Sequence, residues 1–148
     1  MMLTTKGRYA VMAMVDLAYH SEGKPTSLAQ ISDRQDITLP YLEQIFAKLK
    51  KAELVKSVRG PGGGYLLNNS ADKILVADII QAVDEVIKMT SCKSLEACIK
   101  QGKKSSKCMT HNLWSGLSKQ ILTYLSAITL NDICAGNDFN NINFKQVV

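Results

Sequence analysis

A glycine-rich run between two short apolar segments constrains the fold of this 148-residue chain more than any other stretch. The run reads R-G-P-G-G-G over residues 59–64, a composition that disfavours a helix. Strand-like segments, Leu54–Val58 and Tyr65–Leu67, flank it, so the sequence predicts a β-hairpin with the glycines at its tip. The run is not a nucleotide phosphate loop, because it lacks the Gly-Lys-Ser/Thr ending.

Three helical patterns precede this hairpin, over residues 6–20, 28–35 and 40–53. Ser27 and Gln30 have the spacing of a capping box at the start of the second helix, and Pro40 suits the first turn of the third. Two short helices, a tight connection and a following hairpin predict a winged helix-turn-helix, which binds DNA. The predicted inward-facing residues are Val11, Met14, Val15, Ala18, Leu28, Ala29, Ile31, Leu42, Ile45, Phe46 and Leu49.

The pattern of the C-terminal half predicts long helices rather than a second globular domain. A helix is expected over residues 76–87, and a long helical pattern begins at Asn112 with an apolar stripe too broad for the little chain left to cover it. We therefore expect burial against a second copy, with folding back onto the head as the alternative. The predicted dimer contacts are Leu113, Leu117, Ile121, Leu125 and Ile128. The predicted fold is mainly α with a small β-hairpin wing: a winged helix-turn-helix head (1–75), a connecting helix (76–91), a ligand loop (92–111), a long C-terminal dimerisation helix (112–133) and a loose tail (134–148).

Three cysteines and a histidine fall within twenty residues, at Cys92, Cys98, Cys108 and His111. Three thiolates and one imidazole can hold iron–sulfur or zinc, and their spacing alone leaves the metal undecided. Six lysines lie between positions 88 and 107 against the single acid Glu96, and positive charge favours the metal-binding thiolate form. Cys134 lies apart from this set and is interpreted as a small, half-buried residue.

The net charge of +5 permits an anionic partner, and its distribution suggests where DNA would bind. Lysines of the third helix are predicted to contact phosphates, while Glu43 and Gln44 can reach base edges in the major groove. Arg59 can enter an A·T-rich minor groove from the hairpin tip. For each residue the alternative is a solvated surface side chain. The predicted DNA-contacting residues are Thr4, Lys6, Arg8, Tyr41, Glu43, Gln44, Lys48, Lys51, Arg59, Gly60 and Gly62.

Three motifs resemble the Rrf2 family of bacterial transcription regulators: L-T-T-K-G-R-Y-A-V, Y-L-E-Q-I-F-A-K-L and V-R-G-P-G-G-G-Y-L-L. The later cysteines and C-x-x-H are similar to the family's iron–sulfur cluster regulator branch. The resemblance implies a homodimer and a [2Fe–2S] cluster on Cys92, Cys98, Cys108 and His111. The nine residues between Cys98 and Cys108 are more than the branch usually has. Closing this longer loop costs only about a few tenths of a kcal/mol more, so we expect the site to survive.

The function predicted from sequence is a cytoplasmic, iron–sulfur-sensing DNA-binding regulator, in the main a repressor, of cluster-assembly or related genes. A regulator of the same family that senses nitric oxide or cysteine metabolism, or that holds zinc, is the alternative. A cluster carrier or electron-transfer protein would use the same ligands but would need no helix-turn-helix. An enzyme is not expected, because no histidine–carboxylate–nucleophile arrangement is apparent. A membrane span is not expected either, because no apolar run reaches the required length.

Overall fold

The first helix lies at the centre of the fold and contacts most of the other elements. The computed structural model describes residues 4–87 and 110–140. In chain order the elements are α1 (Thr5–His20), α2 (Leu28–Gln35), α3 (Leu39–Lys51), β1 (Val55–Val58), β2 (Gly64–Leu67), a 3-10 turn (Ala71–Lys73), α4 (Val76–Ala82), α5 (His111–Ser126) and α6 (Leu130–Cys134). Helix α1 packs against α2, α3, β2, α4 and α6. It therefore belongs to the core of the head and also contacts the C-terminal elements.

Side-chain caps hold the helix-turn-helix. The Ser27 amide donates to Oε1 of Gln30 (2.9 Å), and the Gln30 amide donates to Oγ of Ser27 (3.3 Å). This is the capping box expected from the sequence, and the bounds of α2 are as predicted. Between α2 and α3, Asp36 adopts a left-handed φ of 53°, and the Ser32 hydroxyl donates to the Ile37 carbonyl (2.6 Å). Helix α3 is shorter than predicted, since it ends at Lys51.

The buried surface of α1 is wider than the single predicted stripe. All four predicted positions of α3 are fully buried, but in α1 only Met14 is, whereas Val11, Val15 and Ala18 are half-buried. The buried apolar positions of α1 are Ala10, Ala13, Met14 and Leu17. Several elements surround α1, so its core-facing arc includes small alanines that allow close helix packing. In α2, Ala29 is exposed, and its predicted burial is wrong.

The predicted hairpin is present, and a third segment extends it. Strands β1 and β2 pair antiparallel, from Val55 opposite Leu67 to Val58 opposite Gly64. Thr26, just before α2, exchanges two backbone hydrogen bonds with Tyr65 (3.0 and 2.8 Å), a pairing that sequence reasoning did not predict. The Tyr65 ring also packs against Phe46 of α3 at a centroid distance of 4.8 Å. The wing is therefore fixed to both helices of the helix-turn-helix.

Helix α4 ends at Ala82, although a helix to Ile87 was predicted. Two backbone hydrogen bonds terminate it: Asp84 N–H donates to the Gln81 carbonyl (3.0 Å) and Glu85 N–H to the Ile80 carbonyl (3.4 Å). Asp84 has a left-handed φ of 59°, so the end has the Schellman pattern with aspartate where glycine is usual. The apolar periodicity continues past Ala82, so the hydrophobic pattern alone did not reveal this end.

The predicted long C-terminal helix is two helices, α5 and α6. The break is held to the head by backbone hydrogen bonds from Val76 N–H to the Ile128 carbonyl (3.0 Å) and from Leu130 N–H to the Ile74 carbonyl (2.8 Å). Thr129 and Asp132 then form a capping box that starts α6. This box is legible in the sequence and was missed. Within residues 4–87 and 110–140, no helix is both long and apolar enough to cross a membrane.

A buried carboxylate joins α1 to α2. The Asp16 side chain is fully buried and accepts two hydrogen bonds from the Arg34 Nε and Nη2 groups (2.6 Å for the shortest) and one from Gln35 (2.8 Å). Burial alone would raise the pKa of Asp16, but the hydrogen bonds from Arg34 and Gln35 outweigh it and lower the pKa below its ordinary 3.8. The ionised carboxylate thus orients α2 against α1.

We predict that Asp16→Asn lowers the free energy of unfolding by about 1–3 kcal/mol at neutral pH, because charge-assisted hydrogen bonds are lost. The native-state pKa of Asp16 is lowered, so its contribution is present above the ordinary carboxyl pKa and is lost as pH falls through the native value. Urea unfolding across acidic pH should therefore show a smaller gap between wild type and variant at the lowest pH. Asp33→Asn, at an exposed position of α2, is the control. An equal loss in both variants would contradict the prediction.

Candidate nucleic-acid interface and metal-ligand loop

The outer face of α3 presents polar side chains next to the wing. Glu43, Gln44 and Lys51 are exposed, as expected for side chains that reach a groove. Tyr41 is half-buried, and its ring packs edge-to-face on Tyr9 of α1, with centroids 5.8 Å apart. Tyr41 is therefore held in a fixed position, with part of its ring committed to packing.

Lys50, which the sequence reasoning did not select, also lies at this face. Its ammonium donates to the Ser57 hydroxyl of β1 (2.7 Å), so it joins α3 to the wing. The signal in the sequence is the K-L-K-K run at 48–51, in which Leu49 is buried and the three lysines surround it. Lys50 thereby links the two elements that the sequence predicts to contact DNA.

The wing tip has a backbone that only glycine fits well. Gly60 and Gly62 have φ values of 100° and 73°, and Gly63 N–H donates to the Gly60 carbonyl (2.9 Å). A Cβ on Gly63 would collide with the Val58 and Gly60 carbonyls. Arg59 is exposed at the start of this turn, where its guanidinium can reach outward.

The start of α1 is occupied by an acidic side chain. The amide and hydroxyl of Thr4 donate to the Glu85 carboxylate (2.5 and 2.8 Å), and the Thr4 hydroxyl also caps Gly7 N–H (3.5 Å). Arg8 is exposed, whereas Lys6 is half-buried. The neighbouring Lys48 ammonium, which disfavours a second positive charge, lowers the pKa of Lys6, and burial lowers it further.

Lys48 of α3 also has a partner within the chain. Its ammonium is 2.5 Å from Oδ2 of Asp84, just after α4. The hydrogen bond from Lys48 lowers the pKa of Asp84. Sequence reasoning assigned Lys48 to DNA phosphate and did not predict this ion pair, because the two residues are 36 positions apart.

Of the four predicted metal ligands, the structure describes only His111. Cys92, Cys98 and Cys108 lie outside the described residues. His111 is the first residue of α5 and is half-buried. Within residues 4–87 and 110–140, no three His, Cys, Asp or Glu side chains converge as metal ligands. The donor set expected for a soft-metal centre therefore rests on one described imidazole and on the three thiols in the sequence.

Cys134 does not belong to this set. It is the last residue of α6 rather than part of a tail, and its Sγ lies 3.9 Å from the Val15 carbonyl. It is half-buried, as predicted, and burial raises the pKa of its thiol.

The apolar stripe of α5 is divided between two environments. Leu125 and Ile128 are buried in a cluster with Val76, Ala77 and Ile80 of α4 in the same chain. Helix α4 therefore covers the C-terminal end of the stripe, and these two side chains have little surface left for a partner. Towards the N-terminal end, Leu113 is 63% exposed and Leu117 39%, while Ile121 is half-buried. Trp114 and Leu122 add exposed apolar surface.

Comparison with known proteins agrees with this architecture. The family model Rrf2, described as an iron-dependent transcriptional regulator, matches residues 3–136. The HTH-type transcriptional regulator IscR of Xenorhabdus nematophila is 49% identical over 146 residues, which is 99% of this chain and 87% of that protein. IscR of Pectobacterium atrosepticum shows the same identity and coverage.

Solved structures show the same fold. T. potens IscR matches with a TM-score of 0.73 at 38% identity, covering 97% of this chain and 93% of that one. CymR, the global cysteine regulator of B. subtilis, matches with a TM-score of 0.76 at 30% identity, covering 93% and 99%. The prediction of a mainly helical winged-helix fold with a two-stranded hairpin is confirmed. The chain is a transcriptional regulator that belongs to the Rrf2 family and is similar to IscR over nearly its whole length.

Proposed function

We propose that this protein is a homodimeric regulator that binds promoter DNA through α3 and the wing and senses iron–sulfur cluster supply through a [2Fe–2S] centre. The observation that carries the proposal is the pairing of an exposed polar α3 face and glycine-tipped wing with 49% identity to IscR proteins. As a DNA-binding regulator it would act in the cytoplasm, on cluster-assembly or related genes.

The exposed side chains described above support separate roles on DNA, some for base edges and others for phosphates. Glu43 and Gln44 are exposed in α3, where a carboxylate can accept from cytosine N4 and an amide can pair with adenine. Exposed Arg8 and Lys51 supply phosphate contacts, which set affinity and salt dependence. Arg59, which precedes the glycine turn at Gly60 and Gly62, enters the minor groove.

The ligand set proposed for the cluster is Cys92, Cys98, Cys108 and His111. When bound, a [2Fe–2S] group with one imidazole ligand supplies a centre whose potential and acid lability differ from those of an all-thiolate one. The chain itself provides lysines around the cysteines, which favour the thiolate form. His111 is the first residue of α5. The backbone just after α5 is hydrogen-bonded to residues 74–76, so one helix connects this proposed ligand to the head.

A regulator of the same fold that responds to another signal is the second candidate. The similarity to the cysteine regulator CymR favours it, because CymR matches over 93% of this chain. Zinc on the same four side chains belongs to this alternative. The visible spectrum separates these possibilities, because zinc is colourless and a [2Fe–2S] protein is reddish-brown.

We predict that Cys92→Ala abolishes the visible absorption and the bound iron of anaerobically purified protein, since one of three thiolate ligands is removed. The affinity for at least one promoter fragment should change in the same variant. Cys134→Ala is the matched control, because Cys134 packs against α1 and should leave iron content unchanged. A wild-type protein without iron and sulfide would refute the cluster, and equal affinity at every site would refute sensing through it.

We predict that Arg59→Ala weakens promoter binding roughly five- to tenfold and flattens its dependence on A·T content, because a narrow minor groove attracts the guanidinium. Fluorescence anisotropy with duplexes that differ in the A·T content beneath the wing measures both effects. Lys73→Ala removes the same charge from an exposed position outside the predicted set. A uniform loss over all duplexes would show that Arg59 contacts only phosphate.

We predict that Leu117→Glu shifts the protein from dimer to monomer, because it places a charge within the exposed half of the α5 stripe. Sedimentation velocity measures the change. Lys119→Glu places the same side chain at an exposed position on the opposite face of the helix and should leave the dimer intact. If both variants remained dimeric, the proposed interface would be elsewhere.

A further inference from the structure

Two consecutive acidic residues bind side chains that the sequence predicts to contact the DNA backbone. We refer to Asp84 and Glu85, which follow α4, as the acidic turn. Asp84 forms an ion pair with Lys48 of α3, and Glu85 accepts hydrogen bonds from the amide and hydroxyl of Thr4 at the start of α1. Lys48 and Thr4 were both selected from sequence as DNA contacts. One short segment thus engages predicted DNA-contacting groups on two different helices.

The backbone of the turn does not require an aspartate. Asp84 occupies the left-handed position of a Schellman end, where glycine is most common because it has no Cβ to resist a positive φ. The Glu85 carboxylate occupies the space beside the buried Gly7, where a Cβ would displace it. A carboxylate is therefore present at each position although backbone geometry alone does not call for one.

A carboxylate and a DNA phosphate compete for the same donors. Lys48 is a point charge with strong preference for an anionic oxygen, and the Thr4 amide and hydroxyl are donors of the kind that bind phosphate. The Asp84 side chain in the pair is 75% exposed, so the pair can open without bringing a buried group into water. Lys6 lies beside Lys48, and separation of Lys48 from Asp84 would leave two neighbouring ammonium groups facing the solvent.

We propose that the acidic turn is a built-in competitor of the DNA backbone: Asp84 and Glu85 withhold Lys48 and Thr4 from phosphate until a well-fitted DNA site displaces them. This inference rests on the proposed DNA-binding function and adds a regulatory element to it. Whatever free energy holds the turn closed is subtracted from binding to every duplex. The subtraction leaves the ratio of affinities unchanged, but it lowers the affinity for non-specific duplexes, which have no base contacts to offset it, and so lowers their occupancy at a given protein concentration.

The test is a salt titration of non-specific DNA binding by the full-length protein. Fluorescence anisotropy with a labelled duplex of scrambled sequence would be measured between about 50 and 200 mM salt, where phosphate contacts dominate affinity. The variants are Asp84→Asn, Lys48→Gln and the double variant. Asparagine also tolerates the left-handed region, so Asp84→Asn removes the charge and preserves the turn. Asp138→Asn makes the same charge change at an exposed position near the C-terminus and is the control.

Asp84→Asn should bind about three- to tenfold more tightly than wild type, with a salt slope steeper by about one, because one more cation becomes available to phosphate. The gain should disappear in the double variant, since Lys48 is the group released. An Asp84→Asn affinity equal to that of Asp138→Asn would overturn the proposal, and so would a gain that persists without Lys48.

Two further observations keep the result interpretable. Asp84→Gly, which suits the left-handed position better, should show the same gain and unfold at the same or a higher temperature. If it is folded and shows no gain, the proposal is wrong. Failure of the wild-type protein to bind any duplex in a salt-dependent way would instead refute the proposed DNA-binding function. Normal wild-type binding with no effect of either Asp84 substitution refutes the acidic turn alone.

Discussion

The burial of α1 between the helix-turn-helix and the C-terminal helices is the constraint on which the rest of the structure depends. Its contacts with α2, α3, α4 and α6 place one helix in the packing of both halves of the molecule. Small residues at Ala10 and Ala13 allow this close approach, and Met14 and Leu17 fill the remaining space. A close-packed core transmits displacement, so a shift of the C-terminal helices would be felt by the helix that supports α3.

The buried carboxylate of Asp16 gives this packing a defined orientation. Apolar contacts fix how close α2 lies to α1, but they specify its rotation only weakly. The bidentate pair between Asp16 and Arg34, with Gln35 as a third donor, has a defined geometry and sets that rotation. Since α2 precedes the turn into α3, the orientation of α3 depends on this carboxylate as well as on the core.

The proposed DNA face carries fewer unpaired polar and cationic groups in the folded protein than its sequence suggests. Asp84 offsets the charge of Lys48, and Glu85 accepts the hydrogen bonds of Thr4. Lys50 keeps its charge but is hydrogen-bonded to Ser57. A regulator must discriminate its operators from a large excess of other DNA, and indiscriminate charge raises affinity for all of them. Under the proposed function, internal partners for part of this surface lower the charge-driven affinity for DNA of every sequence, so fewer non-specific sites are occupied at a given protein concentration.

Local patterns determined much of this protein. The Ser27–Gln30 capping box, the period of Leu42, Ile45, Phe46 and Leu49, and the glycine run at 60–64 each act within a few residues, so the sequence alone predicted α2, the core face of α3 and the wing. The resemblance of three motifs to Rrf2 regulators likewise placed the chain in its family. The cluster ligands and the dimer contacts remain proposals.

Tertiary structure alone decided the features that join distant parts of the chain. The α1 core face, the pairing of Thr26 with Tyr65 and the Lys48–Asp84 ion pair all depend on which elements meet. The break between α5 and α6 is an intermediate case, since its capping box is local but its hydrogen bonds to residues 74–76 are not. Hydrophobic periodicity predicts that a helix face will be buried, but it does not predict which element will cover that face. Local sequence patterns therefore determined most of the helices and strands, apart from the end of α4 and the break after α5, while long-range packing determined which charges and apolar surfaces stay exposed.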